Sequence, residues 1–241
     1  MIPQQTILRA QIYGDSLMKG VVTDENTGRY RATMQRNVAA FETQFHMTVQ
    51  NAARFGLTAD KGQSLLEKDL RTGAGFDYAL LEFGGNDCNY CWEEVSARPD
   101  DPHAPLTELD RFTQIMRGMI KTLHARGVAP LLMTLPPLDA ERYFAFISRG
   151  KDANNILRFL GDVHMIYRFH ELYSSAIEAL ARQTNTLLID VRSRFLGLRN
   201  FKSLIGPDGI HPNENGYAIL VEEFRRFAAS RTGRSLCAYT H

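Results

Sequence analysis

Cysteine is scarce in this sequence, with Cys88, Cys91 and Cys237 among 241 residues. A sparse and odd set is typical of proteins from reducing compartments. Cys88 and Cys91 form a C-x-x-C motif, but no second ligand pair follows at the spacing of a zinc site. We interpret both as ordinary thiols, with a redox or metal role as the alternative, and expect no metal and no cofactor.

Long apolar runs and an excess of basic residues are also missing. No run approaches the roughly 18 residues of a membrane span, and residues 1–5 lack the basic start of a signal peptide. We therefore expect a cytoplasmic protein without a membrane span. Lysine and arginine number 28 against 27 acidic residues, which argues against a nucleic-acid partner. The sequence carries no signal for an oligomeric state.

The length of 241 residues fits one α/β domain, since such domains often reach about 250 residues. No repeat, low-complexity tract or linker divides the chain, and the proline- and aspartate-rich residues 98–105 read as a surface loop. We expect one domain over residues 1–241.

Short apolar runs alternate with helical patterns along the chain. Continuous runs of this length are typical of strands buried on both faces of a parallel sheet. They predict strands at residues 6–13, 47–50, 78–83, 128–135 and 186–191. Apolar residues at three- and four-residue steps predict helices across residues 106–123, 156–167 and 217–227. This order favours a five-stranded, doubly wound parallel sheet of the α/β class.

Two segments are longer than the sheet requires. Residues 88–105 follow the third predicted strand, and residues 138–171 follow the fourth. Ligands of open α/β sheets bind beyond the carboxyl ends of the strands. We expect these two segments to form walls of a substrate site.

Several common motifs are absent, including the P-loop, H-E-x-x-H and the Gly-x-Ser-x-Gly elbow. The motif Gly14-Asp15-Ser16-Leu17 directly follows the first strand instead. A serine between a strand and a helix would present its hydroxyl at the sheet edge, beside the backbone N–H groups of the helix start. The alternative is that Ser16 only caps the helix.

Two further polar motifs follow predicted strands or precede the last helix. In Gly84-Gly85-Asn86-Asp87, the amide of Asn86 could donate a hydrogen bond to an oxyanion, or the motif could be a simple turn. Asp208 stands three residues before His211, so its carboxylate could hold one ring nitrogen and leave the other as a base. A loop histidine near a turn aspartate is the alternative. His124 and His170 lie in helical patterns and are interpreted as surface or packing residues.

These motifs, together with the segment Asn-Ala-Ala-Arg-Phe-Gly at residues 51–56, resemble the four blocks of the SGNH (GDSL-type) hydrolases. The resemblance runs from Ser16 to His211 and implies a flavodoxin-like three-layer α/β/α domain. It implies Ser16 as nucleophile, His211 as base and Asp208 as its partner. It also implies an oxyanion hole made by Ser16, Gly56 and Asn86.

Two positions leave alternatives open. Gly62 is a possible substitute for Gly56 in the second block, because the placement of that glycine is the loosest part of the resemblance. Asp190, after the fifth strand, is a rival carboxylate that we interpret as structural.

Candidate substrate contacts are Asp15, Tyr90 and Trp92. An exposed tryptophan can stack on a sugar ring, although burial of Trp92 against the sheet is the commoner outcome. A second aromatic group could line a pocket or bury the inserted segment; it consists of Tyr143, Phe144 and Phe146.

The family resemblance implies a carboxylic ester hydrolase that acts on a small-molecule or oligosaccharide ester through an acyl-enzyme. The polar, aromatic loop after Asn86 favours a small acyl group, with O-acetyl on a carbohydrate as the expected substrate. The alternatives are a lysophospholipase or short-chain lipid esterase, and a non-catalytic carbohydrate-binding protein on the same fold.

Overall fold

The computed structural model describes residues 7–24 and 29–232. The strands are β1 (Leu8–Tyr13), β2 (Val21–Thr23), β3 (Tyr30–Ala32), β4 (Met47–Asn51), β5 (Tyr78–Leu81), β6 (Ala129–Met133) and β7 (Leu187–Ile189). The helices are α1 (Met34–Phe45), α2 (Ala59–Arg71), α3 (Trp92–Ala97), α4 (Leu109–Ala125), α5 (Ala140–Ile147), α6 (Ala153–Leu160), α7 (Met165–Thr184), α8 (Val191–Leu196) and α9 (Glu214–Thr232). A 3-10 helix covers Phe201–Leu204.

The main sheet has five parallel strands in the order β4-β1-β5-β6-β7. All five predicted strands are present, so the expected α/β class and parallel sheet are confirmed. When only the strands of this sheet are numbered along the chain, the order is 2-1-3-4-5, as in flavodoxin. Proteins with this order bind ligands at the point where the strand order reverses. That point lies between β1 and β5, the strands that precede Ser16 and Asn86.

Helices cover both faces of the sheet, because strand side chains alternate between them. Tyr13 and Leu81 point into one core with α2, α4 and α7. Their neighbours Ile12 and Leu80 point into the other core, which includes residues of α1 and α9. These layers place the carboxyl ends of the strands at one open edge.

The two long segments predicted as substrate walls pack against each other in a third core. Trp92 and Val95 of the first meet Tyr143 and Ile156 of the second. The apolar pattern across residues 156–167 is not one helix, because Gly161 ends α6 with a φ of 72° before α7 begins.

The chain after Ser16 differs from the prediction of a helix. Residues 16–20 form a turn in which the Gly20 N–H donates to the Leu17 carbonyl over 2.9 Å, and β2 begins at Val21. Ser16 therefore caps no helix. Gly20 has a φ of 71°, and the β-branched residues that follow it favour a strand. β2 pairs antiparallel with β3 as a hairpin apart from the main sheet.

The sparse cysteines form no disulfide where the structure describes them. Cys88 is buried and Cys91 half-buried, and both are free thiols, while Cys237 lies outside the described residues. Within residues 7–24 and 29–232, no helix combines the length and apolar character required to cross a bilayer.

The space around two helical glycines predicts opposite effects on stability when each is replaced by alanine. A Cβ at Gly62 would lie 2.2 Å from the ring of Phe83, whereas one at Gly118 in α4 would have its nearest neighbour at 3.7 Å. We expect Gly62→Ala to lower the free energy of unfolding by about 1–3 kcal/mol through overpacking. Gly118→Ala should raise it by up to about 1 kcal/mol through helix propensity.

Urea denaturation of both variants and the parent protein measures these changes. Unchanged stability of Gly62→Ala would contradict the close approach of α2 to Phe83.

Candidate active site

A tight loop before α9 fixes the orientation of His211. The backbone N–H groups of Ile210 and His211 donate to Asp208 Oδ1 over 3.2 and 3.1 Å. Asp208 Oδ2 lies 2.7 Å from His211 Nδ1. It also accepts a hydrogen bond from Thr23 Oγ1 over 3.1 Å. The carboxylate therefore holds the loop, the imidazole ring and β2 at once.

The environment of Asp208 favours its charged form. Burial alone would raise the pKa of this carboxyl, but the hydrogen bond and charge of His211 and the backbone N–H groups outweigh burial and lower the pKa below its ordinary value. A charged carboxylate is the stronger acceptor for the Nδ1–H group of His211.

Gly209 permits the loop to lie directly against α5. Its φ is +79°, and a Cβ there would lie 2.2 Å from the Tyr143 backbone nitrogen. The Asp139 N–H donates to the Gly209 carbonyl over 2.8 Å. A side chain at this position is thus excluded both by backbone conformation and by space.

The other ring nitrogen of His211 faces Ser16. Ser16 Oγ and His211 Nε2 are 2.7 Å apart, although the two residues are 195 positions apart in the chain. Ser16 is 8% exposed. Tyr30 of the hairpin packs edge-on against the imidazole with ring centroids 5.4 Å apart. The structure thus brings Ser16, His211 and Asp208 into one hydrogen-bonded chain.

Asn86 is held beside Ser16 by a buried carboxylate. Its Nδ2 donates to Asp15 Oδ2 over 2.6 Å, and the Leu17 N–H donates to Asp15 Oδ1 over 2.8 Å. The Asp15 N–H in turn donates to Glu82 Oε2 over 3.2 Å. Both carboxyl groups are buried.

Burial raises the pKa of both members of this carboxyl pair. It raises the pKa of Glu82 well above its ordinary value, and the nearby Asp15 carboxylate adds to that rise. Burial also raises the pKa of Asp15, to about 6, against the opposing effects of the Leu17 N–H and of His211. Burial therefore disfavours the charged form of both groups, and Asp15, with a pKa of about 6, is the carboxylate that faces Asn86 at neutral pH.

Asp87 anchors the glycine-rich loop that carries Asn86. Its carboxylate accepts hydrogen bonds from the backbone N–H groups of Gly84 and Ala59, over 3.0 and 2.9 Å. This one side chain fixes the end of β5 against the start of α2.

The segment with Gly56 docks on the end of β1. The Arg54 N–H donates to the Gly14 carbonyl over 3.0 Å, and Asn51 Nδ2 donates to the Met18 carbonyl over 2.8 Å. Gly56 has a φ of +63° and is exposed, outside the cavity lining. Its predicted place in an oxyanion hole stays a prediction. Gly62, the alternative, faces Phe83 in the core.

A cavity of about 140 Å³ opens beside Ser16. Its walls come from the ends of β1 and β5, from the hairpin, from both long segments and from the His211 loop. The lining residues include Ser16, Asn86, Asn89, Tyr143, His170 and His211. The predicted role of the two long segments as walls of a cavity at this edge agrees with this lining.

Of the three expected substrate contacts, Asp15 lines the cavity, whereas Trp92 and Tyr90 lie outside its lining. Trp92 is 6% exposed, and its Nε1–H donates to Asn89 Oδ1 over 2.7 Å, so no ring face is open for a sugar. Tyr90 packs against Trp92, Phe159 and Phe169 and lies outside the cavity lining. Asp15 lines the cavity, but both its oxygens are engaged with protein donors.

Asp190 and the second aromatic group lie at different distances from the chemistry of the site. Asp190 caps α8 by accepting from the Ser193 N–H and from Thr134 Oγ1, which confirms its structural role. Within the aromatic group, Tyr143 and Phe146 line the cavity, whereas Phe144 packs in the third core.

Sequence reasoning missed the hairpin residues Thr23 and Tyr30, the buried Glu82, and the cavity residues Asn89 and His170. The run Val21-Val22-Thr23 was an available strand signal. His170 was interpreted as a surface or packing residue, and the structure buries it in the cavity wall.

Among the solved structures that share this fold are acylhydrolases and esterases. A lipase/acylhydrolase from Enterococcus faecalis is 17% identical with a TM-score of 0.67, covering 93% of this chain and 97% of its own. A catalytic mutant of an acetylxylan esterase from Geobacillus stearothermophilus is 16% identical with a TM-score of 0.63, covering 92% and 94%. A GDSL-like lipase from Bacteroides thetaiotaomicron is 15% identical with a TM-score of 0.61, covering 92% and 88%.

A search of curated proteins finds no match. The model of the GDSL-like lipase/acylhydrolase family matches residues 12–219, most of the chain. The motifs at Ser16, Asn86 and His211 all lie within the matched range. The chain belongs to the GDSL-like lipase/acylhydrolase family.

Proposed function

We propose that this family member is a serine esterase that removes a small acyl group, with O-acetyl on a carbohydrate as its substrate. The observation that carries the proposal is the hydrogen-bonded chain from Ser16 Oγ through His211 to Asp208, with 2.7 Å at each contact of the ring. In this role Ser16 is the nucleophile, His211 the base and Asp208 the group that orients it.

The protonation pattern of the ring supports this assignment. Because Asp208 is held as a carboxylate, Nδ1 of a neutral His211 carries the proton and donates to it. Nε2 is then the free base, 2.7 Å from the hydroxyl. As Ser16 Oγ bonds to the ester carbonyl carbon, Nε2 takes the hydroxyl proton, and the carbonyl oxygen becomes an oxyanion.

Collapse of the tetrahedral intermediate completes acylation. The bond between the carbonyl carbon and the alcohol oxygen breaks, and the proton on Nε2 passes to the leaving alcohol. Water then attacks the acyl-serine with His211 as base again, which releases the acid and restores the Ser16 hydroxyl.

The oxyanion would be stabilised by the N–H groups of Ser16 and Gly56 and by Asn86. The Asp15 carboxylate supports the role of Asn86. Since Asp15 accepts one Nδ2 hydrogen over 2.6 Å, it fixes the amide plane. The other Nδ2 hydrogen has only a long contact of 3.4 Å with the Leu57 carbonyl, which a substrate oxygen would replace.

The size of the cavity favours a small acyl group. The cavity beside Ser16 is about 140 Å³. A separate apolar cavity lies between the sheet and helices α1 and α9, and its lining shares no residue with the first. A long acyl chain, as in the lysophospholipase alternative, would need a channel that joins such a space to Ser16.

The domain organisation and the cellular location of the protein are also proposals. A single catalytic domain over residues 1–241 accords with the family match to residues 12–219. A cytoplasmic location rests on the scarcity of cysteine.

Replacing the nucleophile should nearly abolish activity. We expect Ser16→Ala to lower kcat on p-nitrophenyl acetate at least about 10³-fold, because the acyl-enzyme cannot form. Ser175→Ala, at an exposed site on α7, is the matched control and should be unchanged. Normal ester turnover by purified, folded Ser16→Ala would refute the proposal.

Removing the side-chain oxyanion donor should lower kcat less than removing the nucleophile. Asn86→Ala should reduce kcat by about 10²–10³-fold, with Asn154→Ala on the exposed face of α6 as the control.

Asp15→Asn should reduce kcat about tenfold to hundredfold. Asp15 accepts hydrogen bonds from Asn86 Nδ2 and from the Leu17 N–H, and an asparagine has only one oxygen to accept them. Steady-state kinetics with p-nitrophenyl acetate measure both effects. A full-rate Asn86→Ala enzyme would exclude Asn86 from the oxyanion hole.

Acyl-chain length separates the proposed substrate from the lipid alternative. On p-nitrophenyl esters from C2 to C12, kcat/KM should be highest at C2, because the cavity is small. An acetylated oligosaccharide should also be hydrolysed, as followed by acetate release. A preference for C8 or longer esters would instead favour the lysophospholipase.

A further inference from the structure

His170 on α7 is a polar side chain without a structural partner. Its side chain is 3% exposed and lines the cavity beside Ser16. Among the described residues, its Nδ1 has no hydrogen-bond partner. A buried polar atom left unpaired costs about 1–3 kcal/mol, so a merely structural role does not explain a histidine here.

The ring is uncharged at any ordinary pH. Burial lowers the pKa of His170 to about 3, and the nearby positive charge of Arg192 contributes to the decrease. The two terminal nitrogens of Arg192 are engaged elsewhere, with the Leu135 carbonyl at 3.0 Å, the Tyr167 hydroxyl at 2.7 Å and the carboxylate of Glu171. Its Nε, like His170 Nδ1, has no partner among the described residues. His170 is therefore a neutral imidazole with one N–H group and one lone pair.

The position of the proton follows from burial. An unpaired buried N–H group is rarer in proteins than an unpaired acceptor. Because Nδ1 is the buried, unpaired atom, the favoured tautomer carries its proton on Nε2. The imidazole then has one N–H donor that a ligand can satisfy.

Asn89 supplies a second, oriented donor in the same wall. The indole N–H of Trp92 donates to the Asn89 side chain over 2.7 Å, and the Tyr143 hydroxyl donates to the same oxygen over 3.0 Å. Since an indole can only donate, the atom that faces Trp92 must be Oδ1. Nδ2 of Asn89 therefore lies on the other branch of the amide, and Asn89 also lines the cavity.

The backbone of Asn89 is fixed as well. Its N–H donates to the Asn86 carbonyl over 3.1 Å, and its carbonyl accepts from the Leu106 N–H over 2.7 Å. The donor group is thus held in place before any ligand binds, which reduces the entropic cost of binding.

We propose that His170 and Asn89 form a subsite that donates hydrogen bonds to a hydroxyl or ether oxygen in the alcohol part of the substrate. This inference rests on the proposed function and makes the ester of a polyhydroxy alcohol, such as a sugar, the preferred substrate. The Asp15 carboxylate in the same lining disfavours an anionic ligand. The apolar remainder suits the C–H face of a sugar ring and includes Leu135, Pro136, Phe146 and Ile210.

A matched pair of acetate esters tests the subsite. Mono-O-acetylated methyl β-D-xylopyranoside and cyclohexyl acetate both release a secondary alcohol from a six-membered ring, but only the first offers further oxygens. We expect His170→Phe to lower kcat/KM about fivefold to tenfold for the sugar ester, the effect of one lost neutral hydrogen bond. The value for cyclohexyl acetate should change less than about twofold.

Two further variants separate hydrogen bonding from structure. His170→Gln keeps a donor and should recover part of the sugar preference. Asn89→Asp keeps the acceptor for Trp92 and Tyr143 but loses the donor, so it should reproduce the selective loss. His124→Gln, on the exposed face of α4, is the unaffected control. Equal losses on both esters, or an unchanged ratio of the two kcat/KM values, would overturn the proposal.

Binding without turnover distinguishes this proposal from the proposed function. Saturation-transfer NMR with methyl β-D-xylopyranoside should give a signal with Ser16→Ala protein and a weaker one when His170→Phe is added. If the folded parent protein hydrolyses neither ester, the proposed function fails and this binding result decides the subsite alone. Equal NMR signals from the two proteins would then overturn it.

Discussion

The carboxylate of Asp208 is the constraint on which the candidate site depends. It accepts hydrogen bonds from two backbone N–H groups, from Nδ1 of His211 and from the hydroxyl of Thr23. A buried charge is stable only when it is well paired and hydrogen-bonded, and these donors together supply that pairing. One side chain thereby sets the ring tautomer, the path of the loop and the position of the hairpin. The contact of His211 with Ser16 follows from this arrangement.

A second buried acid organises the other half of the site. Glu82 and Asp15 lie side by side in the cavity wall, where burial raises the pKa of both groups, and Asp15 faces Asn86. Two charged carboxylates this close would repel each other, and the charge of Asp15 contributes to the raised pKa of Glu82. The position of the proposed oxyanion donor Asn86 therefore depends on Glu82 through Asp15.

The sequence predicted what depends on local pattern. Buried parallel strands leave continuous apolar runs, so the five strands and the α/β class followed from periodicity. The residues around Ser16, Asn86 and His211 were found because their motifs end strands or precede a helix. The helix expected after Ser16 was wrong, since Gly20 and the β-branched run after it favour a hairpin. Contacts between distant segments, such as His170 in the cavity wall, leave no local pattern and required the structure.

Gly209 links chemistry and recognition in this protein. Because residue 209 is a glycine, the loop that carries His211 lies directly on the backbone of α5. Helix α5 belongs to the segment that also forms walls of the cavity. A change in the backbone near Tyr143 that alters the shape of the cavity would also displace the imidazole. Side-chain replacements on α5 would therefore change the shape of the cavity without moving the base, whereas insertions in α5 would carry the base away from its serine.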